Sequence, residues 1–327
     1  MIISRTPLRI SFAGGGSDLP AFWREERGAV LSTTIDKYIY VVANRRFEPE
    51  IRVSYSRTEI VRNVSDIQHD LVREALRVTG LPSHLEILTV ADIPAGAGLG
   101  SSSSVTVGLL NALYAFQGKL RSPEDLAREA CEIEIDIIGK PIGRQDQYAA
   151  AYGGLRFYHF EPNGEVREEP IVCGPGVLAE LQRNLILFFT GTTRSADSIL
   201  EIQSANVASG GIVRTHLRKM RDLAFELRSV LSGEGPLGRF GAILNEGWQL
   251  KKQAAEGITN PSIEDWYEKA LEAGALGGKL LGAGGGGCLL FYSPYESQNK
   301  VRSALGELPE IHFRFEPEGS KITFIGR

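Results

Sequence analysis

Residues 94–104 read Pro-Ala-Gly-Ala-Gly-Leu-Gly-Ser-Ser-Ser-Ser, a run of alternating glycines that ends in four consecutive serines. A strand-like run at 85–90 precedes this stretch, and a helical pattern of apolar residues at 105–116 follows it. Glycine allows tight turns and close approach of a ligand to the backbone, and the first helical turn carries unpaired N–H donors that favour anions. Serine hydroxyls add ligands for phosphate oxygens or a hard cation. The stretch therefore predicts an anion-binding loop at a helix N-terminus.

Two common glycine-rich loops are excluded by their spacing. A Walker loop requires a lysine after its last glycine, and the stretch 94–104 contains no lysine. A dinucleotide loop requires Gly-x-Gly-x-x-Gly after the first strand, whereas the spacing here is Gly-x-Gly-x-Gly and lies beyond residue 90. For these residues taken alone, a serine-capped helix behind a flexible connector is the simpler alternative.

The composition is that of a globular protein without a broad polyanion-binding surface. The chain has 327 residues and a net charge of −4, which predicts two domains or one large one and no nucleic-acid partner. Its three cysteines are far apart and odd in number, which predicts neither a disulfide framework nor a zinc site. The longest apolar run, 185–189, is too short to span a bilayer, and the first residues do not resemble a signal peptide. We therefore expect a cytoplasmic protein with no membrane partner.

The pattern Pro-x-x-x-Gly-Leu-Gly-Ser-Ser resembles the phosphate loop of the GHMP small-molecule kinases, which include galactokinase, homoserine kinase and mevalonate kinase. This resemblance implies an α+β fold of two domains, an N-terminal half like domain 2 of ribosomal protein S5 and a ferredoxin-like C-terminal half, with the active site in the cleft between them. Prolines and glycines at 170–176 indicate a boundary, so we expect domains at 1–172 and 173–327. The implied nucleotide-binding residues are Pro94, Gly96, Ala97, Gly98, Leu99, Gly100, Ser101, Ser102 and Ser103.

The first strand is expected at 2–13 and ends at Gly-Gly-Gly-Ser-Asp, residues 14–18, with Ser17 or Asp18 as the cap of a helix that has Pro20 in its first turn. Capping alone would explain Asp18 without a ligand. The segment 9–18 is similar to the galactokinase sequence Arg-Val-Asn-Leu-Ile-Gly-Glu-His-Thr-Asp, which implies that Arg9 is an active-site arginine and that Asp18 contacts a sugar hydroxyl. Gly15 and Gly16 replace the Glu-His pair, which argues against galactose and resembles the D-glycero-D-manno-heptose 7-phosphate kinase subgroup. The implied substrate-binding residues here are Gly15, Gly16, Ser17 and Asp18.

Strands are also expected at 28–35, 38–43 and 51–55, and a helix at 66–79 with Leu71, Ala75 and Val78 facing inward. A second helix is predicted at 123–138, capped by Ser122, with the buried stripe Leu126, Ala130, Ile133 and Ile137. Glu134 lies beside this stripe, where a carboxylate needs a cation partner.

In GHMP kinases a helix glutamate five residues before a glycine binds magnesium, and an aspartate seven residues before Gly-Gly contacts the acceptor hydroxyl. The matching positions are Glu134, five before Gly139, and Asp146, seven before Gly153. Without the resemblance, Asp146 could be interpreted as an ordinary aspartate in a loop, with no contact to an acceptor.

Three features mark the C-terminal part. Arg194, among hydroxyl residues, is expected to hold a substrate phosphate, with a surface arginine at a capped helix start as the alternative. Lys251 and Lys252 are expected in solvent. The run 282–287 has five glycines in six positions; a tight turn is the simpler alternative, but the run resembles the third GHMP motif, which borders the active site. Gly284 and Gly285 are therefore expected at the substrate.

The resemblance implies ATP-dependent phosphorylation of the anomeric hydroxyl of a sugar phosphate, with Mg²⁺ held by Ser102 and Glu134. Asp146 would orient the acceptor hydroxyl, with removal of its proton as a possible second role, and Arg9 would stabilise the transferring group. Heptose 7-phosphate is the expected acceptor, and the 1,7-bisphosphate the product. A kinase for fucose or another hexose, a kinase for an isoprenoid alcohol or amino acid, and a nucleotide-binding sensor without turnover stay open as alternatives.

Overall fold

The computed structural model describes residues 1–81, 83–174, 176–192 and 197–326. Within these ranges the chain is a mixed α and β structure with two sheets. The strands are β1 (Ile2–Ala13), β2 (Gly28–Arg45), β3 (Ile51–Ser54), β4 (Thr58–Val61), β5 (Leu85–Ala91), β6 (Leu155–Phe160), β7 (Val166–Pro170), β8 (Leu185–Phe189), β9 (Gly277–Leu280), β10 (Cys288–Tyr292) and β11 (Lys321–Ile325). The helices are α1 (Pro20–Trp23), α2 (Asp70–Thr79), α3 (Ser101–Phe116), α4 (Pro123–Cys131), α5 (Gln145–Tyr152), α6 (Val177–Asn184), α7 (Asp197–Ala208), α8 (Gly211–Ser229), α9 (Arg239–Lys251), α10 (Pro261–Glu272) and α11 (Gln298–Ala304).

The larger sheet has the order β11-β1-β2-β5-β3-β4, and β6 and β7 extend it beside the first half of β2. β3 and β5 run parallel, and the other pairs in this sheet are antiparallel. Helix α3 packs against β1 and β2, because its mostly apolar residues are buried over nearly their whole length. This packing brings the start of α3 beside Arg9 of β1, whose backbone N–H donates to the Leu99 carbonyl at 3.0 Å.

β2 runs without a break from Gly28 to Arg45, whereas the sequence predicted two strands separated near residue 36. The pairing with β1 shifts at this point, since Pro7 faces Tyr38 and Leu8 faces Ile35. The two residues between, 36 and 37, therefore form a bulge in a continuous strand. The halves of β2 on either side of the bulge pair with different strands, β6 before it and β5 after it.

Two predicted helix starts are wrong. Helix α1 has Leu19, and neither Ser17 nor Asp18, at its N-cap position, although Pro20 does occupy the first turn as expected. Helix α2 begins at Asp70, because the His69 side chain caps it and residues 64–66 form a separate 3₁₀ turn. Val78 is exposed rather than inward, since Thr79 takes the buried position in that turn.

The predicted helix at 123–138 is two helices in series. After Cys131 the backbone continues as a π-helix, Glu132–Ile137, in which the Ile138 N–H donates to the Ile133 carbonyl at 3.0 Å. A π-helix has more residues per turn than an α-helix, so the side chains beyond it rotate relative to the predicted stripe. Ile137 is consequently exposed, which corrects the prediction, whereas Glu134 is fully buried. Ser122 caps α4 as expected, accepting from the Asp125 N–H at 3.0 Å.

The smaller sheet is antiparallel, with the order β8-β10-β9, and residues 309–311 run along the free side of β8. Helices α9 and α10 pack on it through β9. After this sheet the chain returns to the larger one, where β11 pairs with β1. The domain boundary expected at residue 172 stays a prediction. In the structure, the C-terminal strand β11 lies in the larger sheet beside the N-terminal strand β1. Among the described residues, no helix is both long enough and apolar enough to cross a membrane.

Candidate active site

The stretch 94–104 runs from the connection after β5 into the first turn of α3 and faces a cleft of about 770 Å³. Gly100 lies at the N-cap position of α3 with φ 76°, in the left-handed region that favours glycine. The first helical hydrogen bond runs from the Ser104 N–H to the Gly100 carbonyl at 3.0 Å. The N–H groups of residues 101–103 therefore precede the helical ladder at its positive end, as an anion site requires.

Side chains of this loop alternate between the cleft and the core. The loop residues that line the cleft are Gly96, Gly98, Gly100, Ser101, Ser102 and Ser103, together with Ala95. Ala97 and Leu99 are buried in the core, each 1% exposed, and hold the loop in place. Pro94 is exposed and does not line the cleft. Of the predicted nucleotide-binding residues, Pro94, Ala97 and Leu99 thus present no side chain to the cleft, which is lined instead by the alternating glycines.

The second glycine run, 282–287, packs directly on the first. A Cβ on Gly98 would lie 2.5 Å from the Leu281 carbonyl oxygen, and a Cβ on Gly287 would lie 2.7 Å from that of Ala97. Gly284 lines the cleft, whereas Gly285 does not and donates its N–H to the Ile258 carbonyl at 2.9 Å. Arg194 lies outside the described residues.

Arg9 and Asp146 form a bidentate ion pair in the cleft. The Arg9 Nε donates to Asp146 Oδ1 and Nη2 donates to Oδ2, both at 2.7 Å. The remaining Arg9 nitrogen, Nη1, donates to the Gly98 carbonyl at 2.7 Å. A Cβ on Gly100 would lie 3.3 Å from Asp146 Oδ2, so the carboxylate lies against the glycine loop. Asp146, in the first turn of α5, is therefore fixed beside the anion site by an arginine fork.

Glu134 reaches the same loop from the π-helix. Its Oε2 accepts from Ser102 Oγ at 3.0 Å, and its Oε1 accepts from Gln147 Nε2 at 3.3 Å. Lys140 donates to Ser102 Oγ at 3.0 Å and lies 3.9 Å from Glu134 Oε2. Burial raises the pKa of the Glu134 carboxyl, while Lys140 and the Ser102 hydroxyl oppose the shift. The expected cation partner of Glu134 is thus, in this structure, a lysine that the sequence analysis did not single out.

Of the predicted substrate-binding residues near the end of β1, Gly15, Gly16 and Asp18 line the cleft, whereas Ser17 does not. Asp18 Oδ1 accepts from the Gly16 N–H at 2.8 Å, and a Cβ on Gly143 would overlap its carboxylate. Burial raises the pKa of Asp18, and the charge of Asp146 adds to the shift. Ser17 is fully buried with its hydroxyl bonded to the Gly14 and Ala29 backbone, so its side chain does not face the cleft and its role at the substrate stays a prediction.

Several polar residues of the cleft were given no site role, or a wrong environment, from the sequence, among them Ser11, Lys140, Gln145, Lys251 and Lys279. Lys251 was expected in solvent, but it is 8% exposed and its Nζ donates to the carbonyls of Leu280 (3.2 Å) and Gly282. Its position could have been read from helical spacing, since Leu244, Trp248 and Lys251 share one face of α9. For Ser11 no sequence signal was available beyond its place in β1.

Comparison with known proteins agrees with this geometry. A family model described as the GHMP kinases N terminal domain matches residues 61–154, and one described as GHMP kinases C terminal matches residues 226–310. The D-glycero-alpha-D-manno-heptose 7-phosphate kinase of Campylobacter jejuni is 30% identical, over 98% of each chain. The chain belongs to the GHMP kinase family.

Relatives of this GHMP kinase include enzymes that are named for different sugars. The crystal structure of a D-glycero-D-manno-heptose 1-phosphate kinase from Bacteroides thetaiotaomicron has a TM-score of 0.81 and 27% identity, with both chains covered completely. A bifunctional fucokinase/GDP-fucose pyrophosphorylase of Arabidopsis thaliana is 27% identical over 93% of this chain and 31% of that enzyme. The chain is therefore a phosphotransferase that acts on a sugar hydroxyl, with the two-domain GHMP fold that the loop pattern implied.

Members of this family take the phosphoryl group from ATP, generally with Mg²⁺, and the donor set in the cleft fits that ion. Among the described residues there is no group of three or more histidine, cysteine, aspartate or glutamate side chains suited to a metal. Mg²⁺ in phosphotransferases needs only one or two protein oxygens beside the substrate phosphates. Ser102 Oγ and Glu134 supply such a pair, and the ammonium of Lys140 against both shows that the pair attracts a cation.

Proposed function

We propose that this GHMP kinase transfers the γ-phosphoryl group of ATP to the anomeric hydroxyl of D-glycero-D-manno-heptose 7-phosphate, giving the 1,7-bisphosphate and ADP. One observation supports the transfer above all: the Arg9–Asp146 pair lies against the glycine loop, with both Asp146 oxygens held at 2.7 Å. An oriented carboxylate beside an anion-binding helix start is the arrangement that places an acceptor hydroxyl against a phosphoryl group.

The glycine loop would hold the nucleotide phosphates. The N–H groups of residues 101–103 face the cleft ahead of the first helical hydrogen bond, where they donate to anionic oxygens without losing a helical partner. Ser102 and Glu134 would hold Mg²⁺, which when bound supplies positive charge to neutralise the phosphate oxygens. Lys140 lies close enough to both to contribute charge to the same phosphates.

Asp146 and Arg9 would act on the reacting atoms. Asp146 accepts a hydrogen bond from the acceptor hydroxyl, and as the new O–P bond forms and the bond to ADP breaks, the hydroxyl proton passes to its carboxylate. Arg9 fixes that carboxylate through two hydrogen bonds and, from the same guanidinium, bonds the Gly98 carbonyl of the loop. One side chain thus sets the distance between the acceptor group and the phosphate site, and correct positioning is the larger part of catalysis in phosphoryl transfer.

A polyhydroxylated acceptor is supported by unsatisfied polar atoms near Gly15. Within the described chain, Ser11 Oγ and Gln145 Oε1 are buried without a hydrogen-bond partner, and both residues line the cleft. A Cβ on Gly15 would lie 3.6 Å from both Ser11 Oγ and Gln145 Nε2, so the missing side chain leaves space between them. Buried polar atoms without partners are costly, and sugar hydroxyls would satisfy them.

Heptose 7-phosphate is preferred among the sugars because the Campylobacter jejuni relative that acts on it is matched over 98% of both chains. L-Fucose is the second candidate, because the fucokinase of Arabidopsis thaliana is matched over 93% of this chain. A coupled ADP assay with heptose 7-phosphate, free heptose, L-fucose, galactose and mevalonate tests the ranking, and phosphorus NMR locates the new phosphate. We expect the highest kcat/KM with heptose 7-phosphate and a new anomeric phosphate signal. Sugar-independent ATP binding without turnover would instead support a nucleotide sensor.

A further inference from the structure

Two buried lysines face the cleft from the C-terminal part of the chain. Lys251, near the end of α9, and Lys279, in β9, are 8% and 6% exposed, and both line the cleft that Arg9 also lines. They reach it from different elements, so their convergence is a property of the fold and not of local sequence. Neither takes part in the nucleotide and acceptor contacts described above.

The hydrogen bonds of these lysines are incomplete. Lys251 Nζ donates to the carbonyls of Leu280 and Gly282, which uses two of its three N–H bonds. Lys279 Nζ donates to the Phe12 carbonyl at 3.0 Å, which uses one. In the described part of the chain, neither ammonium has a carboxylate at ion-pair distance, whereas Arg9 and Lys140, which also line the cleft, are paired with Asp146 and Glu134. Burying an ammonium without a counter-charge is costly, so a ligand anion is the group that would compensate it.

We propose that Lys251 and Lys279 form a phosphate subsite at the acceptor end of the cleft, which binds the phosphate group that the sugar already carries. This inference rests on the proposed function and deepens it, because it distinguishes a sugar phosphate from a free sugar. The position supports the assignment: Lys279 is bonded to Phe12, two residues before the glycine segment 14–16 on the acceptor side. The nucleotide phosphates have their own donors in the loop amides, Ser102 and Lys140.

The electrostatics agree with a cationic cluster whose charge is only partly compensated. Burial, and then the charge of Arg9, lower the pKa of Lys251 to about 7. Burial lowers the pKa of Lys279 well below its ordinary value, the charges of Lys251 and Arg9 lower it further, and Asp18 partly opposes them. A phosphate dianion between the two ammonium groups would reverse these shifts, since an opposite charge favours the charged form.

The test compares Lys251→Met and Lys279→Met with Lys252→Met as the matched control. Lys252 follows Lys251 at the C-cap of α9, but its Nζ donates to Glu264 Oε2 at 2.8 Å. Each variant is assayed with heptose 7-phosphate and with the same heptose lacking the 7-phosphate. We expect KM for the phosphorylated sugar to rise roughly tenfold to a hundredfold in K251M and K279M, with little change for the free sugar and none in K252M.

Inorganic phosphate serves as a probe that does not depend on the sugar. We expect it to raise the melting temperature of the wild-type protein and of K252M, and to raise that of K251M and K279M much less. Lys251→Arg keeps the positive charge, so it separates the loss of the anion contact from the loss of the two carbonyl contacts. An ATP titration of each variant checks that its nucleotide site is intact. Equal losses with both sugars, accompanied by a reduced phosphate effect, would support a subsite for the transferring phosphoryl group and overturn its assignment to the acceptor.

Unchanged phosphate stabilisation in both lysine variants would overturn the subsite altogether. If the wild-type enzyme does not phosphorylate heptose 7-phosphate, the proposed function fails, and the phosphate titration still decides on the subsite.

Discussion

Gly98 and Gly282 are in direct contact, so that a Cβ placed on Gly282 would lie 2.5 Å from the Gly98 Cα. The two residues belong to different glycine runs, one before α3 and the other between β9 and β10. Through this contact the smaller sheet presses on the loop that carries the anion-binding amides. The geometry of the loop therefore depends on both parts of the chain.

Gly282→Ala is expected to reduce ATP affinity at least about tenfold, because the added methyl group displaces the Gly98 backbone. Gly118→Ala is a matched control: φ is 73° at Gly282 and 74° at Gly118, and a Cβ on Gly118 would meet nothing within 4 Å. Both variants carry similar backbone strain, so comparison of their ATP titrations isolates the loop contact. Equal ATP affinities in the two variants would argue against the contact.

Asp146→Asn is expected to lower kcat by roughly 10²–10⁴-fold while leaving ATP affinity close to the wild-type value. The amide keeps the shape of the side chain but removes the charge that orients the hydroxyl and pairs with Arg9. Single-turnover measurements with saturating sugar and ATP would show whether the loss is in the phosphoryl-transfer step. Turnover near the wild-type rate would remove Asp146 from the mechanism.

Glu134→Gln is expected to raise the Mg²⁺ concentration needed for half-maximal activity, because one of the two proposed protein ligands loses its charge. Glu132→Gln, in the same π-helix but exposed, is the control and should titrate with Mg²⁺ like the wild type. The same Mg²⁺ dependence in both variants would count against the metal assignment.

Ser11→Ala is expected to raise KM for the sugar several-fold without lowering the melting temperature, since Ser11 Oγ has no partner in the described chain to lose. Ser32→Ala is the control: Ser32 Oγ is also buried and unpartnered, but it does not line the cleft. If Ser11→Ala lowers the melting temperature and leaves KM unchanged, the hydroxyl stabilises the fold and does not bind the sugar.

The pH dependence of acceptor binding should follow Lys251. Burial and the charge of Arg9 from β1 lower its pKa, so its proton is weakly held in the free enzyme. Lys279 from β9 also faces it, and the pKa of Lys279 is lowered by burial and by the charges of Lys251 and Arg9. As the pH rises through about 7, Lys251 loses its proton and KM for the phosphorylated sugar rises. This alkaline increase should be absent in Lys251→Met and retained in Lys252→Met, measured from pH 6 to 9. An identical KM profile in Lys251→Met and the wild type would contradict it.

The sequence predicted the parts of the site that have a short, local signature. The glycine loop at 94–104 and the inward position of Glu134 follow from local spacing, whereas the approach of Asp146 to the loop was implied only by the resemblance to the GHMP kinases. Lys251 could not be assigned in the same way, because a long charged side chain on a helix normally extends to solvent. Its burial depends on two carbonyl groups contributed by the strand β9 and the second glycine run, which are distant in sequence.

The errors in secondary structure have a similar cause. The bulge at residues 36 and 37 was read as a break, because polar residues inside a strand are equally typical of a turn. Ile137 was placed in the core by assuming α-helical spacing, whereas the π-helix changes the direction of every later side chain. Both features are set by how the segment pairs or packs with the rest of the chain.

The pairing of β11 with β1 has a consequence for biosynthesis. β11 covers residues 2–5 of β1, and until residues 321–325 emerge from the ribosome this part of the strand edge has no partner. Until then the nascent chain keeps this edge open, in a position where another polypeptide can add to it. A premature stop shortly before residue 321 would leave that edge permanently available, and aggregation rather than loss of catalysis would be its first effect.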